Sequence, residues 1–147
     1  MDPRTEDITD KQRIRELQNH YSYSIDSGKY DNLDAIFTPN ATYHFVTGST
    51  DNIEALKTTI RDALSPLKAS QHINGNQWSE IEGDFAKAGC YFTVHMYKEG
   101  LADGEHFEMG GRYDDELVRA ANGWQFSKRT ITILWSDGNP KVRWQDQ

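Results

Sequence analysis

The feature that most constrains this chain is one change of rhythm near Pro66. Before it, apolar residues recur every three or four positions; after it come four long, aromatic-rich stretches with turn residues between them. From about Thr9 to Ser27, Ile14, Leu17, Tyr21 and Ile25 form one helical stripe, while Arg13, Arg15 and Glu16 lie elsewhere on the helix. Thr9 or Asp10 can cap this helix, and Gly28 can end it in a left-handed conformation. Tyr30 to Phe37 reads as a short second helix, with Leu33, Ile36 and Phe37 on one face and Pro39 as the stop. Ala41 to Val46 alternates as a strand. A third helix then buries Ile53, Leu56, Ile60 and Leu64, with Asp51 and Glu54 spaced as a capping box.

Beyond Pro66 the stretches His72 to Glu82, Phe85 to Lys98, His106 to Arg119 and Trp124 to Trp135 read as an antiparallel meander. Gly83-Asp84, a Gly-rich loop and Asn122-Gly123 separate them. Asn-Gly between two strands predicts a tight hairpin turn whose two central residues both take positive φ. Helices grouped first and consecutive strands after them give an α+β architecture rather than a parallel sheet with crossovers. No repeat or linker divides the 147 residues, so one domain is expected over 1–147. The last ten residues, about 138–147, are polar and read as a mobile tail or an interface arm, with Trp144 pointing toward docking.

Charge and composition narrow the partners. Sixteen Lys and Arg stand against 23 Asp and Glu, a net of −7, with no basic cluster able to follow a phosphate backbone, so no nucleic-acid partner is expected. Aromatic residues make up 12% of the chain, unlike acidic disordered sequences. The acidic, polar start lacks the form of a secretory signal and no apolar run reaches membrane-spanning length, so the expectation is a cytoplasmic protein without membrane contact. Cys90, the lone cysteine, falls in an apolar strand and reads as packing.

Four strings carry a family resemblance. They are Tyr21 to Leu33, Gln71-His72-Ile73-Asn74-Gly75-Asn76, Gly110 to Leu117, and Gly123-Trp124-Gln125-Phe126-Ser127-Lys128-Arg129. Their order and spacing resemble the SnoaL-like branch of the nuclear transport factor 2-like superfamily, which includes scytalone dehydratase, the bile acid 7α-dehydratase and lindane dehydrochlorinase. The resemblance implies a cone-like α+β barrel: N-terminal helices packed on a strongly curved, mostly antiparallel sheet that encloses a small-molecule pocket. It also implies that Asp26, at the end of the first helix, meets His72 at the start of the meander. Tyr21 matches a helical Tyr or Lys five residues before the family's aspartate, and Arg129 matches an arginine of the dehydrochlorinase. A tyrosine at position 21 leans toward a dehydratase-like set.

That set describes a cofactor-independent lyase or isomerase acting on a small, largely apolar molecule. His72 takes a proton from carbon, Asp26 orients the imidazole, Tyr21 helps the leaving group, and Arg129, on a face with Ile131, Ile133 and Trp135, supports negative charge. Tyr43, Phe92, Val94, Met109, Ile131 and Ile133 are expected to line the pocket, with His95 as a second pocket histidine. Plainer readings stand beside these. Asp26 can be a turn residue, His72 an exposed strand start, Tyr21 a packed aromatic, and Arg129 a partner of Glu116 or Asp114. No histidine pair has metal-ligand spacing, and no cofactor is expected. The same fold serves non-catalytic binding proteins and oxygenase small subunits, which is the alternative. Uncovered Trp78, Trp124 or Trp144 on the sheet predicts a homo-oligomer, a trimer by resemblance, with a dimer as the other choice.

Overall fold

The computed structural model describes the backbone of residues 3–144 and the side chains of residues 7–144. Helix α1 runs Pro3–Asp26, a 3-10 turn Tyr30–Asn32 leads into α2 (Leu33–Ile36), and strands β1 (Phe37–Phe45) and β2 (Gly48–Thr50) precede α3 (Ile53–Leu64). The meander is β3 (Ala69–Glu82), β4 (Phe85–Tyr97), β5 (His106–Ala120) and β6 (Gly123–Gly138), followed by a 3-10 turn, Pro140–Val142. The six strands form one sheet in the order β2-β1-β6-β5-β4-β3. All neighbours are antiparallel except β1 and β6. The fold is therefore α+β, with three helices on a mostly antiparallel curved sheet.

Local chemistry explains most boundaries and a few departures. Helix α1 begins six residues before Thr9, so Asp10 lies within it instead of capping it. Asp10 is buried and accepts from Arg119 Nη1 and Nη2 (3.0 and 2.9 Å) and from Trp124 Nε1 (3.1 Å). Gly28 ends the helix at φ +70°, as the sequence suggests. Phe37 opens β1 rather than closing α2. The cap of α3 is Asn52, whose side chain accepts from the Ala55 amide at 2.9 Å, so Asp51 and Glu54 do not form the capping box. At the β5–β6 turn the positive φ falls on Gly123 alone (+125°), not on Asn122; the hairpin forms, but not with the two-residue positive-φ turn expected.

Strand β3 is an edge, and edges need cover. Helix α1 supplies it through a polar seam. Asn74 Nδ2 donates to the Gln18 carbonyl (3.2 Å) and to Ser22 Oγ (3.2 Å), and Gln77 Nε2 donates to Gln18 Oε1 (3.0 Å) and Asn19 Oδ1 (3.1 Å). A bulge between Gly75 and Trp78, with Asn76 at φ +53°, switches the inward positions from Ser70, His72 and Asn74 to Gln77 and Ser79. This seam fixes the helix against the strand and sets where its C-terminal end falls.

The tryptophans and the tail also differ from expectation. Trp124 is buried with the Arg119 guanidinium 4.5 Å above its ring, Trp144 faces the interior cavity, and Trp78 stays on the outer face at 45% exposure. Residues 138–144 are not a free arm: Val142 is fully buried, and Asn139 bonds back to the His106 carbonyl (2.9 Å) and the Gly104 carbonyl (2.7 Å). Residues 145–147 of the expected tail lie outside the described residues. Among the described residues, no helix is long and apolar enough to cross a membrane.

Candidate active site

Helix α1 stops at Asp26, so the last residue of the helix and Tyr21, one and a half turns earlier, both reach the same end of the barrel. The Asp26 carboxylate is held by three donors. Oδ1 accepts from Ser70 Oγ (2.7 Å) and faces His72 Nδ1 (2.7 Å), while Oδ2 accepts from the His72 backbone amide (2.6 Å). Sequence reasoning did not single out Ser70; its place two residues before His72, on the same face of β3, is the signal that could have found it. An ionised carboxylate only accepts, so Nδ1 carries a proton toward Asp26, and in the neutral tautomer that bond selects, Nε2 has the lone pair. The two side chains are 17% and 8% exposed.

His72 stands in the wall of a cavity of about 90 Å³, several times the roughly 10–15 Å³ that one water needs. The interior is therefore not filled solid. Tyr43, Phe92, Val94, Met109, Ile131 and Ile133 all line it, together with Tyr21. The sequence missed Met96, Tyr113, Phe45 and the α3 residues Thr59 and Ile60, and also Arg143 and Trp144 from the C-terminal turn. Phe92 stacks on Tyr113 at 4.4 Å between centroids, and its ring lies 6.2 Å from that of His72. Gly111 makes this possible: a Cβ there would come within 2.8 Å of the Phe92 ring. Gly110, its neighbour, leaves room on the opposite face for the Trp135 indole.

Tyr21 and Tyr43 meet hydroxyl to hydroxyl at 2.8 Å. Burial raises both phenols above their ordinary range, and Arg129 opposes the rise, so both stay protonated at neutral pH. Two O–H groups that share one hydrogen bond leave one proton for a ligand.

Arg129 is not in the cavity wall. It is fully buried beneath it, directly opposite Asp115 in the β5–β6 register. Nε and Nη2 bond the Asp115 carboxylate at 2.7 and 3.0 Å, and the guanidinium carbon lies 3.8, 4.4 and 4.5 Å from the ring centres of Tyr113, Tyr21 and Phe126. Its Nη1 has no hydrogen-bond partner among the described residues; aromatic faces compensate there instead. Burial disfavours both charges, but the guanidinium pKa rises because Asp115 overcomes that penalty, and the pair remains ionic. Arg129 therefore cannot touch a ligand, and its partner is neither Glu116 nor Asp114. Trp135, expected on the same face, sits outside because β6 bulges between Ile133 and Trp135.

His95 is also misplaced by the sequence reading. With Phe92, Val94 and Met96 inward, alternation puts His95 outside, where Nδ1 meets Glu108 Oε1 (2.6 Å) and Nε2 meets His106 Nδ1 (2.6 Å). Burial pushes the Cys90 thiol up to about 11, which leaves it a packing group. Among the described residues no three His, Cys, Asp or Glu side chains converge as metal ligands.

With this geometry established, similarity to known proteins decides the family. The SnoaL-like domain profile matches residues 6–130. This chain belongs to the SnoaL-like family. An uncharacterised protein of Mycobacterium tuberculosis is 30% identical over 128 residues, 86% of each chain. Among solved structures of the fold, a hexachlorocyclohexane dehydrochlorinase, LinA type 2, superposes with a TM-score of 0.80 at 17% identity, over 90% of each chain. A provisionally assigned scytalone dehydratase of Novosphingobium aromaticivorans gives 0.83 at 16%, over 90% of this chain and 89% of that one. A nuclear transport factor 2-like protein of Salmonella enterica gives 0.75 at 19%, over 88% and 94%. The nuclear transport factor 2-like fold of this SnoaL-like chain is thereby established.

Proposed function

We propose that this SnoaL-like chain is a cofactor-independent lyase or isomerase of the dehydratase type, acting on a small, largely apolar molecule. The observation that carries the reading is the Asp26 carboxylate, bonded to Ser70, to the His72 amide and to His72 Nδ1, which leaves Nε2 as a base at the cavity wall. In a β-elimination Nε2 takes the proton from carbon, the C–H electron pair becomes the new double bond, and the leaving group departs from the next carbon. The Tyr21–Tyr43 pair gives the departing hydroxide a proton, so that it leaves as water. Asp26 stabilises the imidazolium, which returns its proton through solvent or to the tyrosinate. Arg129, with no access to the ligand, favours the tyrosinate from beneath the Tyr21 ring. If the leaving step is absent, the same base gives isomerisation.

The decisive experiment is proton exchange. The chain in D₂O is incubated with a panel of β-hydroxy ketones, β-hydroxy esters and chlorinated cycloalkanes and followed by NMR. Deuterium uptake at carbon or loss of substrate with the wild type, and neither with His72→Ala, supports the reading. A chain that binds members of the panel without exchange or turnover belongs instead to the non-catalytic binding proteins of this fold. Association between copies goes with the proposal, through the outer sheet face that exposes Ile73, Tyr91 and Trp135; light scattering measures it.

A further inference from the structure

Arg143 is the arginine in the cavity wall, and it is half-buried. The turn that carries it is firmly built. Val142 is fully buried, Asn139 Oδ1 caps the Lys141 amide (3.1 Å), Lys141 Nζ pairs with Asp103 (3.0 Å), and the Arg143 and Trp144 amides close onto the Pro140 carbonyl (3.1 and 2.7 Å). The guanidinium lies 4.0 Å above the Trp144 ring. Burial lowers the guanidinium pKa from its ordinary value, and Tyr43 opposes that shift.

What separates Arg143 from Arg129 and Arg119 is its lack of an anion. Arg129 has Asp115 and Arg119 has Asp10, both bidentate. Among the described residues no carboxylate pairs with Arg143. A guanidinium partly withdrawn from water at the wall of a mostly apolar cavity, with no carboxylate to pair with, carries a desolvation cost that the fold does not offset. A ligand anion offsets it, and the planar fork matches a carboxylate bidentately.

We propose that Arg143 and its turn form an anion subsite, so that the ligand of this cavity is a small apolar body bearing a carboxylate. The assignment depends on the cavity being the ligand site of the reading above, but not on turnover. The base at His72 and the cation at Arg143 then hold two ends of one molecule. Arg143 is a specificity residue in this scheme; the proton chemistry stays with His72.

The test is binding, by titration calorimetry on the full chain, of a matched pair of probes: trans-cinnamate and trans-cinnamamide. The wild type is expected to hold the carboxylate about ten- to a hundredfold more tightly than the amide, the range of a desolvated charged hydrogen bond. Arg143→Gln should erase the preference without weakening the amide, and Arg143→Lys should keep part of it. His72→Ala should retain the preference although it abolishes proton exchange. The proposal is overturned if the wild type binds both probes alike or neither, or if Arg143→Gln leaves the preference intact. A preserved preference in a chain without exchange activity would defeat the lyase reading and leave the anion subsite standing.

Discussion

Two of the carboxylate pairs in this barrel teach opposite lessons. Asp115 and Arg129 are both wholly enclosed, bonded twice and packed among aromatic rings, out of reach of a ligand in the cavity. Asp26 and His72 sit at the cavity wall, 17% and 8% exposed, and one partner is an imidazole. The first pair has the geometry of a strut; the second, in the function proposed above, is the proton device. Similar bond lengths thus carry different consequences, because access and the chemistry of the base differ.

The largest expected effect sharpens that contrast. His72→Ala should lower turnover by about 10²–10⁴-fold, the usual worth of a positioned general base, while the melting temperature moves little. Asp26→Asn should approach the same loss. An amide offers one acceptor oxygen where the carboxylate uses two for three donors, so either the His72 backbone amide loses its acceptor or Nδ1–H and Ser70 Oγ both do. A melting temperature that falls steeply in both variants, with activity per folded molecule unchanged, would make this pair a strut as well.

Second in size is the reverse experiment. Arg129→Met leaves Asp115 buried without its cation, and a loss of about 3–5 kcal/mol is expected in urea unfolding. The double variant Asp115→Leu with Arg129→Met should recover much of that, because apolar replacement of a buried pair removes both desolvation penalties. Failure to recover would mean that the stacking of the guanidinium on Tyr113 and Tyr21 matters more than its charge balance.

The contrast also explains what the sequence could disclose. Periodicity sufficed for the helices and the meander, since Ile53, Leu56 and Ile60 or Phe92, Val94 and Met96 repeat with the period of their element. The meeting of Asp26 with His72 was legible only through family resemblance, because the two residues are 46 positions apart and nothing local joins them. Arg129 was misread for a physical reason: alternation reports which face a residue occupies, not how deep it lies or whether Asp115 waits across the strand. Arg143 was missed because a polar tail after Pro140 has no periodicity, and one buried valine, Val142, decides its path.

A third pair, Asp10 with Arg119, is intermediate and separates the two behaviours by pH. Its hydrogen bonds from Arg119 hold the Asp10 carboxyl below its ordinary value, against burial, with Trp124 adding to the effect. A depressed folded value means that the stabilisation is fully present above the unfolded pKa, about 4, and is lost as pH falls through the folded one. The melting-temperature gap between wild type and Asp10→Asn should therefore be constant from pH 7 to 5 and narrow toward pH 3. A gap independent of pH would assign the stability to shape rather than charge.

The smallest effect concerns which of two hydroxyls faces the ligand. Tyr21 and Tyr43 share one hydrogen bond, so removing either oxygen should cost only about 0.5–1.5 kcal/mol of stability. Their kinetic effects should differ. The Arg129 charge lies 4.4 Å from the Tyr21 ring centre and partly offsets the burial that raises this phenol, whereas Tyr43 is pushed well above its ordinary range. Tyr21 is then the better proton donor, and Tyr43 accepts from or replenishes it. Tyr21→Phe should lower the rate for a poor leaving group such as hydroxide more than Tyr43→Phe does, and both should matter less for chloride, which departs without a proton. Equal losses for the two leaving groups would place the tyrosine pair outside the chemical step and assign it, like Asp115 and Arg129, to the frame.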